Sequence, residues 1–177
     1  MSVVIDATVG GASSNSFITL AEAQTYVDAR LNVDAWTALV GTPDTLNRAL
    51  VAATLELSNL EWLSRRATDT QALSWPRFFC PNPDAATFAL NYYLSTIIPT
   101  RVKNATAELA FLFINAGTTD ISQLDPNLGV ISKKVAVLET HWQPFQRPKG
   151  LARFPSVMRF IKPLLVNTGV SVPLVRG

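Results

Sequence analysis

Five apolar residues, Leu46, Leu50, Ala53, Leu57 and Leu60, recur at steps of four, three, four and three. Only a helix gathers such a series on one side, so the spacing predicts one continuous apolar seam about four turns long. Thr42 is the expected cap. Pro43 takes the first helical position, where its missing N–H costs nothing, and Asp44 suits the positive end of the helix. The seam makes this a core helix, expected to end near Arg65-Arg66.

The other elements are read around it. Thr19-Leu20-Ala21-Glu22 is a capping box, opening a helix to about Leu31 with Leu20, Ala23, Val27 and Leu31 on one face. Pro99 opens another, with Val102, Ala105, Leu109, Leu112 and Phe113 inward and Gly117 as its C-cap. A last helix runs from about Pro155 to Val166 on Val157, Phe160, Ile161, Leu164 and Leu165, disturbed by Pro163. Between them, Gln71–Arg77 reads as extended, because Pro76 biases Trp75 away from helix. Pro81 and Pro83 keep the next stretch irregular, and Asp84 is placed as the cap of a short helix through Leu94. Gly129 to Trp142 reads as one or two strands, since Ile131, Val135 and Val137 alternate with other residues. The fold class expected is mainly α: a small bundle of about four to five helices, a short β segment around 130–142 and extended termini. An N-terminal arm is expected over 1–18, the helical domain over 19–166 and an extended C-terminal arm over 167–177.

A chain of 177 residues suits one domain with a real core. Charged residues make up only 16% of it, against about 25% in an average soluble domain. Either other subunits cover some of its surface, or it is an unusually apolar monomer. The net charge of +2 hides two poles. Residues 1–64 hold seven acids against two bases, and after Glu139 there is no acid, while Arg147, Lys149, Arg153, Arg159, Lys162 and Arg176 follow. Such poles suit head-to-tail stacking or contact with nucleic acid, or mark nothing more than a solvated basic face. No run approaches the roughly 20 apolar residues of a membrane span. Met1–Asp6 lacks the basic start of a signal peptide. Cys80, the only cysteine, excludes an internal disulfide.

The sequence nominates no catalytic, metal or cofactor residue. His141 is the only histidine and has no second soft ligand nearby, so neither a zinc site nor a Ser-His-Asp triad is expected. Glu56 and Glu61 are five apart and point to different helix faces. The chain is therefore not expected to be an enzyme. Two groups of residues remain as candidates for binding. Trp62, Arg65, Arg66, Trp75 and Arg77 interleave aromatics with bases, as single-strand binders do; the preferred reading is that the tryptophans pack in the core and the arginines meet acids of a neighbouring subunit, because Trp62 closes an apolar helix and Pro76 stiffens a structural turn. Lys133, Lys134, Arg147 and Lys149 join Arg65, Arg66 and Arg77 as DNA-facing or inter-subunit positions. In the tail, Val170, Val172, Leu174 and Val175 fit an arm that binds a neighbour, or a loose end with chance valines.

Several segments carry a resemblance. They are Asn15–Ala23 with Tyr26 and Arg30, Ala49–Trp62, Arg65-Arg66, Gln71-Ala-Leu-Ser-Trp-Pro-Arg77, Ile98–Ala110, Ser132–Val135, and Phe154–Val157 with Pro163–Leu165. In this order they are similar to the head–tail connector (neck adaptor) proteins of tailed phages, a family often labelled DnaT-like single-stranded-DNA-binding proteins. Gln71–Arg77 is the most specific piece. The chain departs from the family by a longer stretch over Phe78–Ile97, and by Lys134-Val-Ala-Val137 where glycine is frequent. The resemblance implies a virion protein of the neck, made in the host cytoplasm. It would form a homo-oligomeric ring of twelve subunits under the portal protein and line the DNA channel, with a terminal segment gripping the portal or a neighbour. Its partners would be the portal, a downstream tail or nozzle protein and, transiently and without sequence preference, genomic double-stranded DNA; no cofactor and no membrane are implied. The alternative is a single-stranded-DNA-binding protein of phage replication that stacks bases on its Trp/Arg cluster.

Overall fold

The seam forms the helix its spacing requires. In the computed structural model α3 spans Pro43–Ser58 and buries Leu46, Ala49, Leu50, Ala53 and Leu57. The structure describes residues 2–86, 91–124 and 150–166, together with the backbone of 132–135 and 138–141. The seam packs on α4, Thr100–Ala116, which also carries α1 (Leu20–Asp28) and α5 (Pro155–Ile161). Central position explains the composition of α4: Val102, Ala105, Ala107, Leu109, Ala110, Phe111 and Phe113 are buried on several faces. It ends where expected, at Gly117, whose φ of 66° a Cβ would oppose. The fold is mainly α, and among the described residues it has five α-helices with two small two-stranded antiparallel sheets.

Several expectations hold in detail. The capping box closes in both directions: the Thr19 hydroxyl accepts from the Glu22 N–H at 3.2 Å, and the Glu22 carboxylate accepts from the Thr19 N–H at 3.0 Å. The same carboxylate takes the Lys103 ammonium at 2.5 Å, tying α1 to α4. Burial would raise the Glu22 carboxyl, but the bonds from Lys103 and Thr19 outweigh it and hold the group below its ordinary value. The β segment is a hairpin, β3 (Ser132–Val135) against β4 (Leu138–His141), pairing Ser132 with His141 and Val135 with Leu138. Pro163 acts as expected but shortens the last helix: α5 stops at Ile161 rather than near Val166, and the backbone tightens to a 3₁₀ turn over Lys162–Leu164.

Others are corrected. α1 stops at Asp28 rather than Leu31, which is 87% exposed, because Asn32 at φ 58° turns the chain back. The turn leads to a short helix missed in the sequence, α2 (Asp34–Thr37), which delivers Trp36 to the core with its indole N–H on Gln24 at 2.7 Å. Thr42 precedes α3 without capping it through its side chain. α3 ends at Ser58, well short of Arg65-Arg66. The Trp62 indole N–H donates to the Leu57 carbonyl at 2.8 Å, an acceptor that Glu61 would need if the helix went on. Asp84 caps no helix among the described residues; its carboxylate binds Arg101 of α4. The expected arm over 1–18 lies on the body: the Asp6 carbonyl accepts from Asn15 and Ser16, Asn47 donates to the Val3 carbonyl, and Phe17 and Ile18 are buried. No helix among the described residues is long and apolar enough to cross a membrane.

Candidate nucleic-acid interface

The Gln71–Arg77 segment is built to brace itself. The Gln71 side chain, 2% exposed, accepts from the Thr68 N–H at 2.9 Å and donates to the carbonyls of Leu73 at 2.8 Å and Pro76 at 3.1 Å. Arg77 does the same from the other end. Its guanidinium donates to the carbonyls of Leu63 at 2.7 Å, Ser74 at 2.9 Å, Trp62 and Ser64. Burial is the main influence on its titration and lowers it from the ordinary arginine value. Between these anchors Trp75 is wholly enclosed, edge-on to Trp62 at 5.4 Å and to Tyr93 at 6.3 Å. Trp62 is 5% exposed. Neither tryptophan can stack on a base, and Arg77 is spent on backbone groups that would otherwise be unsatisfied. That corrects the expectation for Arg77 and removes Trp62 and Trp75 from any binding face.

What the loop positions instead is a two-residue ribbon, β1 (Arg65–Arg66) against β2 (Arg77–Phe78). Arg65 opposes Phe78 across the ladder, with its guanidinium 5.5 Å from the ring centroid. At the ribbon's end Ser64 and Phe79 both take left-handed backbone, φ 68° and 50°, joined by a 2.9 Å bond from the Ser64 hydroxyl to the Phe79 carbonyl. A bulky side chain rarely adopts that conformation, and such strain gathers at functional sites. Its effect here is to turn the Phe79 ring outward, 67% exposed. Next to it, residues 80–82 and 91–93 pair through the Tyr93 N–H on Cys80 and the Asn82 N–H on Asn91, which presents Tyr92. Tyr92 is 55% exposed, edge-on to Phe79 at 6.0 Å, and Phe79 lies 6.1 Å from Phe78. Three aromatic rings and the exposed Arg65, without an ion pair among the described residues, make one surface, while Arg66, next along the strand, lines the groove beside Leu73 and Ser74.

Of the residues nominated from sequence, the structure brings Arg65 to this surface and Arg66 to the opposite face of the ribbon. Lys133 and Lys134 lie on β3, described only in its backbone. Arg147, Lys149, Val170, Val172, Leu174 and Val175 lie outside the described residues. Sequence reasoning missed Phe78, Phe79 and Tyr92. Their signal was the aromatic pairs Phe78-Phe79 and Tyr92-Tyr93 within the stretch Phe78–Ile97. The described residues hold no cluster of three metal-ligating side chains.

A family model described as "Putative DnaT-like ssDNA binding protein" matches residues 1–177. No curated protein and no solved structure matches the chain.

Proposed function

The chain belongs to the DnaT-like ssDNA-binding protein family, and from that premise we propose that it binds single-stranded DNA through the β1–β2 ribbon. Phe79 and Tyr92 serve as stacking faces, and Arg65 meets the phosphates on that side, with Arg66 on the ribbon's other face able to follow a strand that passes round its edge. The observation that carries this reading is the outward Phe79 ring beside Tyr92, held by strained backbone, with Arg65 over the neighbouring Phe78 ring. Every base has a π-face, so such a platform tolerates any sequence, while the arginines follow the backbone. It selects single strands because a duplex keeps its bases stacked on one another.

Alanine at Phe79 or Tyr92 is expected to weaken binding of a labelled oligonucleotide by roughly 5- to 150-fold, the worth of one stacked base. Because both rings are largely exposed, Tm should stay close to that of the parent. Anisotropy titration checks the first and thermal denaturation the second. Loss of binding together with a large fall in Tm would assign these rings to the fold instead.

A second reading is favoured by the fate of the family-like segments. Gln71–Arg77 and Trp62 go into structure, and Leu31, Leu55, Leu94 and Ile97 remain exposed on a chain poor in charge. This supports a head–tail connector: a non-enzymatic subunit of a ring in the phage neck, held between portal and tail proteins, touching the genome only in passing. Negative-stain microscopy of the protein mixed with portal separates the two, because this second reading requires rings on the portal and equal, weak affinity for either form of DNA.

A further inference from the structure

The ribbon has a second face. Arg65 and Arg66 are consecutive in an extended strand, so their side chains leave on opposite sides. Arg65 goes to the Phe78 ring, and Arg66 lines an open groove of about 490 Å³ between the end of α3 and the Gln71–Arg77 loop. That volume falls within the roughly 300–1,000 Å³ usual for small-molecule sites. Leu55 and Leu73 line the groove, but more of its wall is polar than apolar. The hydroxyls of Ser58 and Ser74, two of its lining residues, are buried and have no hydrogen-bond partner among the described residues. Buried polar atoms are seldom left so, and a polar guest would supply the partner. Glu61 is the only acid among the described residues that line the groove. The Val166 N–H donates to its carbonyl at 2.9 Å and the Leu63 N–H to the Leu164 carbonyl at 2.9 Å, which holds 61–63 extended. With Trp62 turned into the core, Glu61 stands on the outer side, exposed and without an ion pair among the described residues.

We propose that this groove holds one base of the same single strand that stacks on Phe79 and Tyr92, and that Glu61 selects a base carrying an exocyclic amine, cytosine above thymine. The inference rests on the ribbon reading and adds to it a second face and a preference. The ribbon is two residues long, roughly 7 Å, so a strand rounding its end passes from Arg65 to Arg66 without leaving the protein. A carboxylate only accepts hydrogen bonds. The N4 amine of cytosine donates one to it, whereas thymine carries the O4 acceptor at the same place, and acceptor would face acceptor. Leu55 and Leu73 give the base apolar surface. Arg66 neutralises the phosphate that arrives with it and offsets repulsion from Glu61. The platform of Phe79 and Tyr92 stays indifferent to sequence; only the groove reads it.

The test titrates the full chain, at neutral pH and by anisotropy, with labelled oligo-dC and oligo-dT of equal length. Oligo-dC should bind about tenfold more tightly, the worth of one hydrogen bond to a charged group. Glu61→Gln, at an exposed position, should bring the ratio close to one, because the amide offers thymine a donor as readily as it offers cytosine an acceptor. Removing the carboxylate also eases the approach of phosphates, so the ratio and not either affinity is the readout. Phe79→Ala should weaken both oligonucleotides by the same factor and leave the ratio at its parental value. Parental binding without preference for dC, or a preference that Glu61→Gln leaves intact, overturns the groove and spares the platform. Binding of neither oligonucleotide by the parent overturns both.

Discussion

Replacing Trp75 with alanine is expected to lower the unfolding free energy by about 3–5 kcal/mol, the usual cost of emptying a large aromatic site in a core. For a chain of this size that is a fall in Tm of roughly 6–20 °C. Trp75 has almost no exposed surface, and it is the ring on which Trp62 and Tyr93 both rest their edges. Emptying its site also loosens the loop between Gln71 and Arg77, whose polar side chains hold the backbone around it. Trp75→Phe should cost much less. It keeps most of the packing, and the indole N–H it removes has no partner among the described residues. A Trp75→Ala protein with the parental Tm and lost DNA binding would return this tryptophan to the binding face.

Arg30→Ala should be as severe, by about 3–5 kcal/mol, because it strands a buried charge. Glu108 lies in the middle of α4 with no exposed surface. Its carboxylate binds the Arg30 guanidinium and accepts from the Tyr26 hydroxyl at 3.1 Å, while its second oxygen has no hydrogen-bond partner among the described residues. Arg30 itself spans two environments, 4.7 Å over the Phe111 ring and 29% exposed. Removing Glu108 should therefore cost less than removing Arg30, since the freed guanidinium can turn to water. Changing both to apolar residues, Arg30→Met with Glu108→Leu, should recover most of the loss, because a buried ion pair and a well-packed apolar pair are often equivalent. Urea unfolding of the two single variants and the double variant measures the asymmetry. A near-neutral Arg30→Ala would show that the pair does not hold α1 on α4.

The comparison of sequence with structure divides along a physical line. Elements driven by helical periodicity with local end signals were legible: the α3 seam, the Thr19–Glu22 box, Gly117 and the Pro163 break all act within a few residues. What was not legible depends on partners distant in the chain. α3 stops early because Trp62 takes a carbonyl, and α2 exists because Trp36 finds Gln24 and a place in the core. Arg77 looked like a DNA contact because its type is basic. Only the fold reveals that it closes on four carbonyls. The exposed platform was hidden for the converse reason. Phe79 and Tyr92 look like core residues by type, and the left-handed backbone that turns Phe79 outward follows no local glycine signal.

The most direct test of single-strand binding is a titration of the parent protein with a labelled oligonucleotide and with the same sequence as a duplex, across a range of salt. The ribbon account predicts clear preference for the single strand, by tenfold or more. It also predicts affinity falling with salt at a slope of about −0.7 per phosphate neutralised, as counterions are released. Equal affinity for strand and duplex at every salt concentration would contradict it.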